Sequence, residues 1–367
     1  MDFADSALLI MAGGQSSRLG QDKLFLEYDG TSLLERLLQK AAARDFREVF
    51  LCGGRDVEAC AALAVKYGVR FLPDEVGGRG PLAGLRSGLR AMTAEYALVV
   101  AADMPLWDFA ATAPLWEQAG AELAVIPVVG GRRQPLAGLY RRAILPQVEA
   151  ALNSGLYKVG AVLAQVPCRW VTLPAAAAFF NLNTAADWRL LQGRWANAGR
   201  PVPVVTVTAP VSGTGKTTFI ERLIPLLQAK GVRAGVVKSD SHGYELDEAG
   251  KDSYRFKAAG AQGVALVSPD GYFIEQRTAV RPGLVEIAAR LENVDMVFIE
   301  SRSRGVSPKI SLWRGLGEPS VDAATAALFA SEPLQVPDVA CYPLAAVEKA
   351  AELVLFLCAL EGKTAFQ

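Results

Sequence analysis

Residues 204–223, VVTVTAPVSGTGKTTFIERL, allow few folds. A run of alternating β-branched residues breaks into a glycine-bearing turn, and a helix-like stretch follows at once. Strand, loop and helix in that order aim backbone N–H groups at one point, which is how such loops cradle phosphate. Gly213 and Gly215 let the chain curl, Lys216 reaches β/γ oxygens, and Thr217 places a hydroxyl where Mg²⁺ would sit. The residues expected to touch a nucleotide here are Gly213, Thr214, Gly215, Lys216, Thr217 and Thr218. Pro210 stands where the first glycine of such a loop belongs. Proline lacks an N–H and fixes φ near about −65°, but the donors come from residues 213–218, so the loop tolerates it. Pro225 is expected to kink or interrupt the helix behind the loop.

A strand that ends in a phosphate loop belongs to a mostly parallel sheet, and the rest of the chain has that rhythm. ALLIM (7–11), EVFLC (48–52), VRFLP (69–73), YALVVAAD (96–103), ELAVIPVV (122–129) and RWVTL (169–173) alternate with helix-like stretches. VPVVTVTA (202–209), RAGVVKSD (233–240), GVALVS (263–268) and DMVFIES (295–301) do so again, with helices expected near 217–230, 250–259 and 283–292. At 367 residues the chain exceeds one hydrophobic core. Two Rossmann-like α/β domains are expected, 1–193 and 202–367, joined by a linker at 194–201 where QGRWANAGRPVP (192–203) interrupts the pattern.

Thirty-eight basic residues balance thirty-eight acidic ones, so no general field draws the chain to nucleic acid or to an anionic membrane. Any anionic ligand must be held locally. The cysteines at 52, 60, 168, 341 and 358 form no C-x-x-C pair, which argues against a disulfide framework and against a zinc ribbon. The N-terminal residues lack the pattern of a signal peptide, and LVLFLCAL (353–360) is too short to span a bilayer, so a cytoplasmic location is expected.

A second glycine-rich segment, LLIMAGGQSSRLGQDK, occupies residues 8–23. A strand runs through Met11 into Ala12, Gly13 and Gly14, all expected to touch the nucleotide; the two adjacent glycines remove side-chain bulk so that backbone N–H groups can approach a triphosphate, while Arg18 and Lys23 supply compensating charge. Asp103 ends the apolar strand YALVVAAD, which in an open α/β sheet puts its carboxylate at the ligand-binding carboxyl edge. Its plainer alternative is a helix cap, and Asp74 in LPDE could likewise just begin a turn.

The pattern L-x-A-G-G-x-S-x-R-x-G-x-D-K resembles the signature of the molybdenum cofactor guanylyltransferases, MobA, within the larger nucleotidyltransferase superfamily. PDEVGGRGPLAGLRSGL (73–89), AADMPL (101–106) and FFNLNTAADW (179–188) resemble further motifs of that family, so the likeness spans about residues 6–193. It implies an N-terminal nucleotidyltransferase sheet that transfers GMP from GTP to molybdopterin and releases pyrophosphate. Arg18, Lys23 and Asp103 would be catalytic, with Asp103 on Mg²⁺. Asp74 and the loop Gly80, Pro81, Leu82, Ala83, Gly84 would help to hold the nucleotide, and Asn181 and Asn183 would lie near the metal or the acceptor. The family commonly carries an asparagine after its second strand, where this chain reads Cys52, Gly53, Gly54; Cys52 reads as a small buried filler.

VVKSDSHGYELDEAGKDSYRFKAAGA (236–261) and VDMVFIESRSRGVSPKI (294–310) resemble the molybdopterin-guanine dinucleotide biosynthesis adaptor protein, MobB. The likeness implies a C-terminal P-loop NTPase-type sheet that binds GTP, with Thr217 and Glu300 at its metal and Asp240 as a further acidic contact. Ser239 and Ser241 replace two histidines of the family's run and leave His242, while Asp252 reads equally as a helix-terminal charge. The combined expectation is a fused enzyme acting on GTP and molybdopterin, with Mo-cofactor insertion proteins and apo-molybdoenzymes as implied partners and slow GTP hydrolysis in the second half. The alternatives are a molybdopterin cytidylyltransferase, a sugar-phosphate nucleotidyltransferase, or a largely regulatory GTP-binding switch.

Overall fold

The computed structural model describes residues 3–13, 22–74, 80–174, 177–239, 252–302 and 306–363. It divides into two compact units, Met1–Trp188 and Arg189–Gln367. In the first, strands β1 (Ala7–Met11), β2 (Glu48–Cys52), β3 (Arg70–Leu72), β4 (Tyr96–Ala101), β5 (Ala124–Val129), β6 (Leu139–Arg141) and β7 (Cys168–Leu173) lie in the order β7-β5-β6-β4-β1-β2-β3. Only β6 runs antiparallel to its neighbours on this path. All five positions of β1 are buried, as a central strand covered on both faces requires.

The helices follow from local signals. Helix α1 (Leu33–Ala42) starts where the Ser32 hydroxyl accepts from the Glu35 N–H, and Leu33, Leu34, Leu37, Leu38 and Ala41 form its buried stripe. Helix α2 (Val57–Tyr67) is capped by Asp56 at one end and by Gly68 at the other. Helix α3 (Gly80–Ala91) occupies the stretch expected to be a glycine loop. Pro81 fits a first helical turn because the N–H it lacks has no partner there anyway. Gly84 brings this helix against Met11 and Cys52 of the sheet, and Leu82 is wholly buried.

The second unit holds β8 (Val204–Thr208), β9 (Ala234–Lys238), β10 (Gly263–Ser268), β11 (Gly271–Gln276), β12 (Met296–Glu300), β13 (Lys309–Trp313), β14 (Thr325–Ala330) and β15 (Ala340–Pro343). Six of them form a parallel sheet in the order β9-β12-β8-β13-β14-β15. The stretch 263–268 is a strand as expected, but β10 and β11 pair only with each other, as an antiparallel hairpin. Helix α4 (Ala185–Asn197) crosses from the first unit's residues into the second's. Helix α5 (Lys216–Gln228) contributes Phe219, Ile220, Leu223 and Leu227 to the second core, and α6 (Val347–Cys358) contributes Val347, Ala350, Val354 and Leu357. Helix α5 runs on through Pro225 without interruption; Pro225 lies on its exposed side, where water can take the carbonyl that proline leaves unbonded.

The expected linker is not an open one. Helix α4 continues through Gly193, which fits closely against Pro308 and Leu357, and Arg194 pairs with Glu361 at 2.5 Å. Asn197 is buried: its amide donates to the carbonyls of Val204 (3.1 Å) and Leu357 (3.0 Å), and its oxygen accepts from the Val204 N–H (3.0 Å). Four satisfied contacts of this kind turn residues read as a break in the pattern into a seam of the second core. Among the described residues all five cysteines are free, and no helix is long and apolar enough to cross a membrane.

Candidate functional site

In the first unit the chemistry gathers at the carboxyl ends of β1, β2 and β4. The Met11 carbonyl accepts from the Ala102 N–H (3.0 Å) and the Ala12 N–H donates to the Cys52 carbonyl (2.9 Å). Both residues are still spent on the sheet, so backbone donors for a ligand begin beyond Ala12. Asp22 accepts from the Leu24 N–H and starts the short 3₁₀ turn Lys23–Phe25, which aims Lys23 back across the sheet edge.

There the Lys23 ammonium meets Asp103. It donates to Asp103 Oδ2 at 2.6 Å and to the Leu182 carbonyl at 3.0 Å. The Leu182 N–H in turn donates to the Asp103 carbonyl at 2.9 Å. Leu182 is wholly buried and sits between Asn181 and Asn183, so the N-x-N segment is strapped to the pair by its middle residue. The two asparagines serve the turn itself: Asn181 Nδ2 donates to the Phe179 carbonyl, and the Asn183 N–H donates to Asp187. Asp103 Oδ1 is buried and has no hydrogen-bond partner among the described residues. A carboxylate with one oxygen neutralised and the other desolvated and unpaired suits a cation or a proton donor.

Asp74 follows β3, and its carboxylate lies against Gly13 and Gly53. Gly53 has φ +77, and a Cβ there would come within 3.1 Å of Asp74 Oδ2 and 3.2 Å of the Gly13 nitrogen. The glycine that follows Cys52 is therefore needed to let the two loops close. Burial raises the Asp74 carboxyl above the ordinary range. Cys52 is sealed in the core, where burial and then the nearby Asp74 push its thiol up to about 12, which fits an inert filler. Gly14 and Arg18 lie outside the described residues. Gly80 and Pro81 open a helix in place of a loop, and the Leu82 side chain is in the core beneath it.

In the second unit β8 passes through Ala209 and Pro210 into the loop, and the first positive φ comes at Gly213 (73°) with Gly215 (92°) next. Pro210 thus stands before the curl, where its fixed backbone costs nothing. Gly215 is the N-cap of α5, so Lys216, Thr217 and Thr218 form the first helical turn. The Thr217 hydroxyl bonds to the Glu300 carboxylate, at 3.0 and 3.1 Å to its two oxygens, and joins the end of β12 to the loop. Lys216 is buried to 8% exposure. Burial lowers its ammonium below the ordinary lysine value against the pull of Glu300, and Arg302 and Lys238 lower it further. Ser239 donates its N–H to the Glu300 carbonyl at 2.9 Å. Asp252 is an exposed charge in the first turn of helix Asp252–Ala258, while Asp240, Ser241 and His242 lie outside the described residues.

Comparison with known proteins covers both halves. A family model of the MobA-like NTP transferase domain matches residues 8–167, and one of molybdopterin guanine dinucleotide synthesis protein B, MobB, matches residues 204–331. A probable molybdenum cofactor guanylyltransferase of Synechococcus elongatus is 34% identical over 193 residues, 51% of this chain and 97% of that protein. One of Pelotomaculum thermopropionicum is 31% identical over 186 residues, 49% of this chain and 88% of its own. The solved molybdopterin-guanine dinucleotide biosynthesis protein A of Archaeoglobus fulgidus is 26% identical, over 49% of this chain and 94% of that one, with a TM-score of 0.42.

Proposed function

The chain belongs to the molybdenum cofactor guanylyltransferase family and carries a MobB domain behind that unit, and from this premise we propose how its two phosphate loops divide the work. The first unit transfers GMP from GTP to molybdopterin and forms molybdopterin guanine dinucleotide. The second is a fused adaptor whose loop takes a nucleotide that is bound, and hydrolysed slowly if at all.

The observation that carries the catalytic assignment is the Lys23–Asp103–Leu182 cluster. An oxygen of the acceptor phosphate bonds to the α-phosphorus of GTP as the bond to the bridging oxygen breaks, and that oxygen leaves with pyrophosphate. No residue changes its covalent state. Lys23 offsets charge on the leaving pyrophosphate, and the loop after Ala12 together with Arg18 cradles the triphosphate. Asp103 is the residue to hold Mg²⁺; its unpaired buried oxygen fits that part, and the ion would neutralise phosphate oxygens. Thr217 and Glu300 are the corresponding pair in the second unit. Asp74 and Gly13, which lie against each other, are assigned to the nucleotide, and Asn181 and Asn183, on either side of Leu182, to the neighbourhood of the metal or the acceptor. A cytoplasmic enzyme that hands its product to insertion proteins and apo-molybdoenzymes is the setting this reading implies.

Pyrophosphate release with GTP or CTP, each with molybdopterin, tests the assignment. GTP is expected to be used, and Lys23→Ala and Asp103→Ala are each expected to lower turnover by roughly 10²-fold or more with the fold retained by circular dichroism. Preference for CTP would overturn the guanylyl reading, and wild-type turnover in both variants would overturn the site.

A further inference from the structure

The carboxyl edge of the second sheet collects more positive charge than a phosphate loop alone requires. Strand β8 leads to Lys216, β9 ends in Lys238, β12 is followed by Arg302, and β13 is followed by Arg314. Four of the six strands therefore deliver a cation to one edge, and Glu300 is the carboxylate bonded into the loop beside them.

Arg314 is placed with some care. Its guanidinium lies across Gly215: a Cβ built on that glycine would stand 3.0 Å from Nη2, 3.4 Å from Cζ and 3.7 Å from Nε. The turn that carries it is held from both sides. Trp313 Nε1 donates to the Gly317 carbonyl at 2.8 Å, and a Cβ built on Gly317 would meet Pro210 at 3.8 Å and Val211 at 4.0 Å, so this turn faces the front of the loop. Among the described residues the guanidinium itself makes no hydrogen bond and no ion pair.

Arg314 is exposed there, so water solvates its guanidinium until a ligand arrives. The N-terminus of a helix carries roughly half a positive charge, and Lys216 already stands there. A fork of N–H donors laid over the same point gives an anion with several oxygens charge-assisted hydrogen bonds from both sides.

We propose that Arg314 is a phosphate-chain ligand of the second unit's nucleotide site, closing over the loop from the β13 side and favouring nucleotides with a β- and γ-phosphate over monophosphates. The proposal rests on the reading of 213–218 as a nucleotide loop and adds a residue that neither the loop pattern nor the family likeness marks.

The test uses the full chain in a Lys23→Ala background, so that the first loop contributes little to binding. Calorimetric affinities are measured for a β,γ-imido analogue of GTP, for GDP and for GMP, and Lys216→Ala on the same background sets the baseline. Arg314→Ala is expected to weaken the analogue tenfold or more and GMP by less than twofold, with unchanged melting in the absence of nucleotide because the side chain is exposed. Arg314→Lys is expected to restore only part of the loss, and the affinity of Arg314→Ala is expected to fall less steeply with salt than that of its parent. If Lys216→Ala abolishes binding while Arg314→Ala matches its parent, the loop stands and the role of Arg314 is overturned. If the parent shows no Lys216-dependent binding, the reading of the loop fails and Arg314 falls with it.

Discussion

At the scale of single residues, the site is a set of charges each placed against its own solvation. Asp74 shows it most simply. It lies between Gly13 and Gly53, and burial raises its carboxyl. A carboxyl whose folded value lies above its unfolded one favours the fold at low pH and withdraws that support as pH rises through the folded value. Asp74→Asn removes the titration. The variant should melt above the parent at about pH 8, the gap should close toward about pH 4, and GTP turnover should fall; thermal melts across that range check the sign. Of these residues, Lys23, Asp103, Thr217 and Glu300 were legible because each ends a motif or an apolar strand. Leu182 was not, since it acts through its backbone and only the asparagines beside it carry a visible side-chain signal. Arg314 was invisible for another reason: it follows a strand that the pattern did not reveal.

Among the elements, most strands of the first sheet can be read from their β-branched and apolar runs, while β13, β14 and β15 cannot. KISLW begins with a lysine that is buried because Asp322 pairs with it, TAALFA is rich in alanine, and ACYP is short and closes on proline. Sheet context makes strands of them, which propensity alone does not foresee. Helix α3 errs the other way, since glycines that suggest a loop serve close packing on β1 and β2. The start of α4 carries a testable device. Thr184 and Asp187 cap each other: the Thr184 hydroxyl donates to Asp187 at 2.9 Å and accepts from the Asp187 N–H at 3.1 Å. Thr184→Ala should cost about 1 kcal/mol in urea unfolding. Because this turn also sets the Leu182 carbonyl against Lys23, guanylyl transfer should drop as well, and Thr184→Ser should restore both.

For the molecule as a whole, two phosphate loops in one chain join two modules that handle one cofactor, and the tether raises the effective concentration of each for the other. Lys216→Ala should abolish nucleotide binding by the second unit and leave guanylyl transfer within about twofold, a difference near the limit of what independent sites show. Parallel assays of analogue binding and pyrophosphate release check it, and a large loss of transfer would show that the loops are coupled. The order of strands has a consequence during synthesis. Strand β1 finds a first partner at Glu48–Cys52, well before its second at Tyr96–Ala101, but VVTVT of β8 has no partner until Met296–Glu300 and Lys309–Trp313. At ordinary elongation rates that delay is on the order of 5–20 s, during which a finished first module trails an apolar segment with nothing to pair with. A chain whose synthesis ended before β12 would therefore carry every strand of the first sheet and, behind them, an apolar strand with no partner.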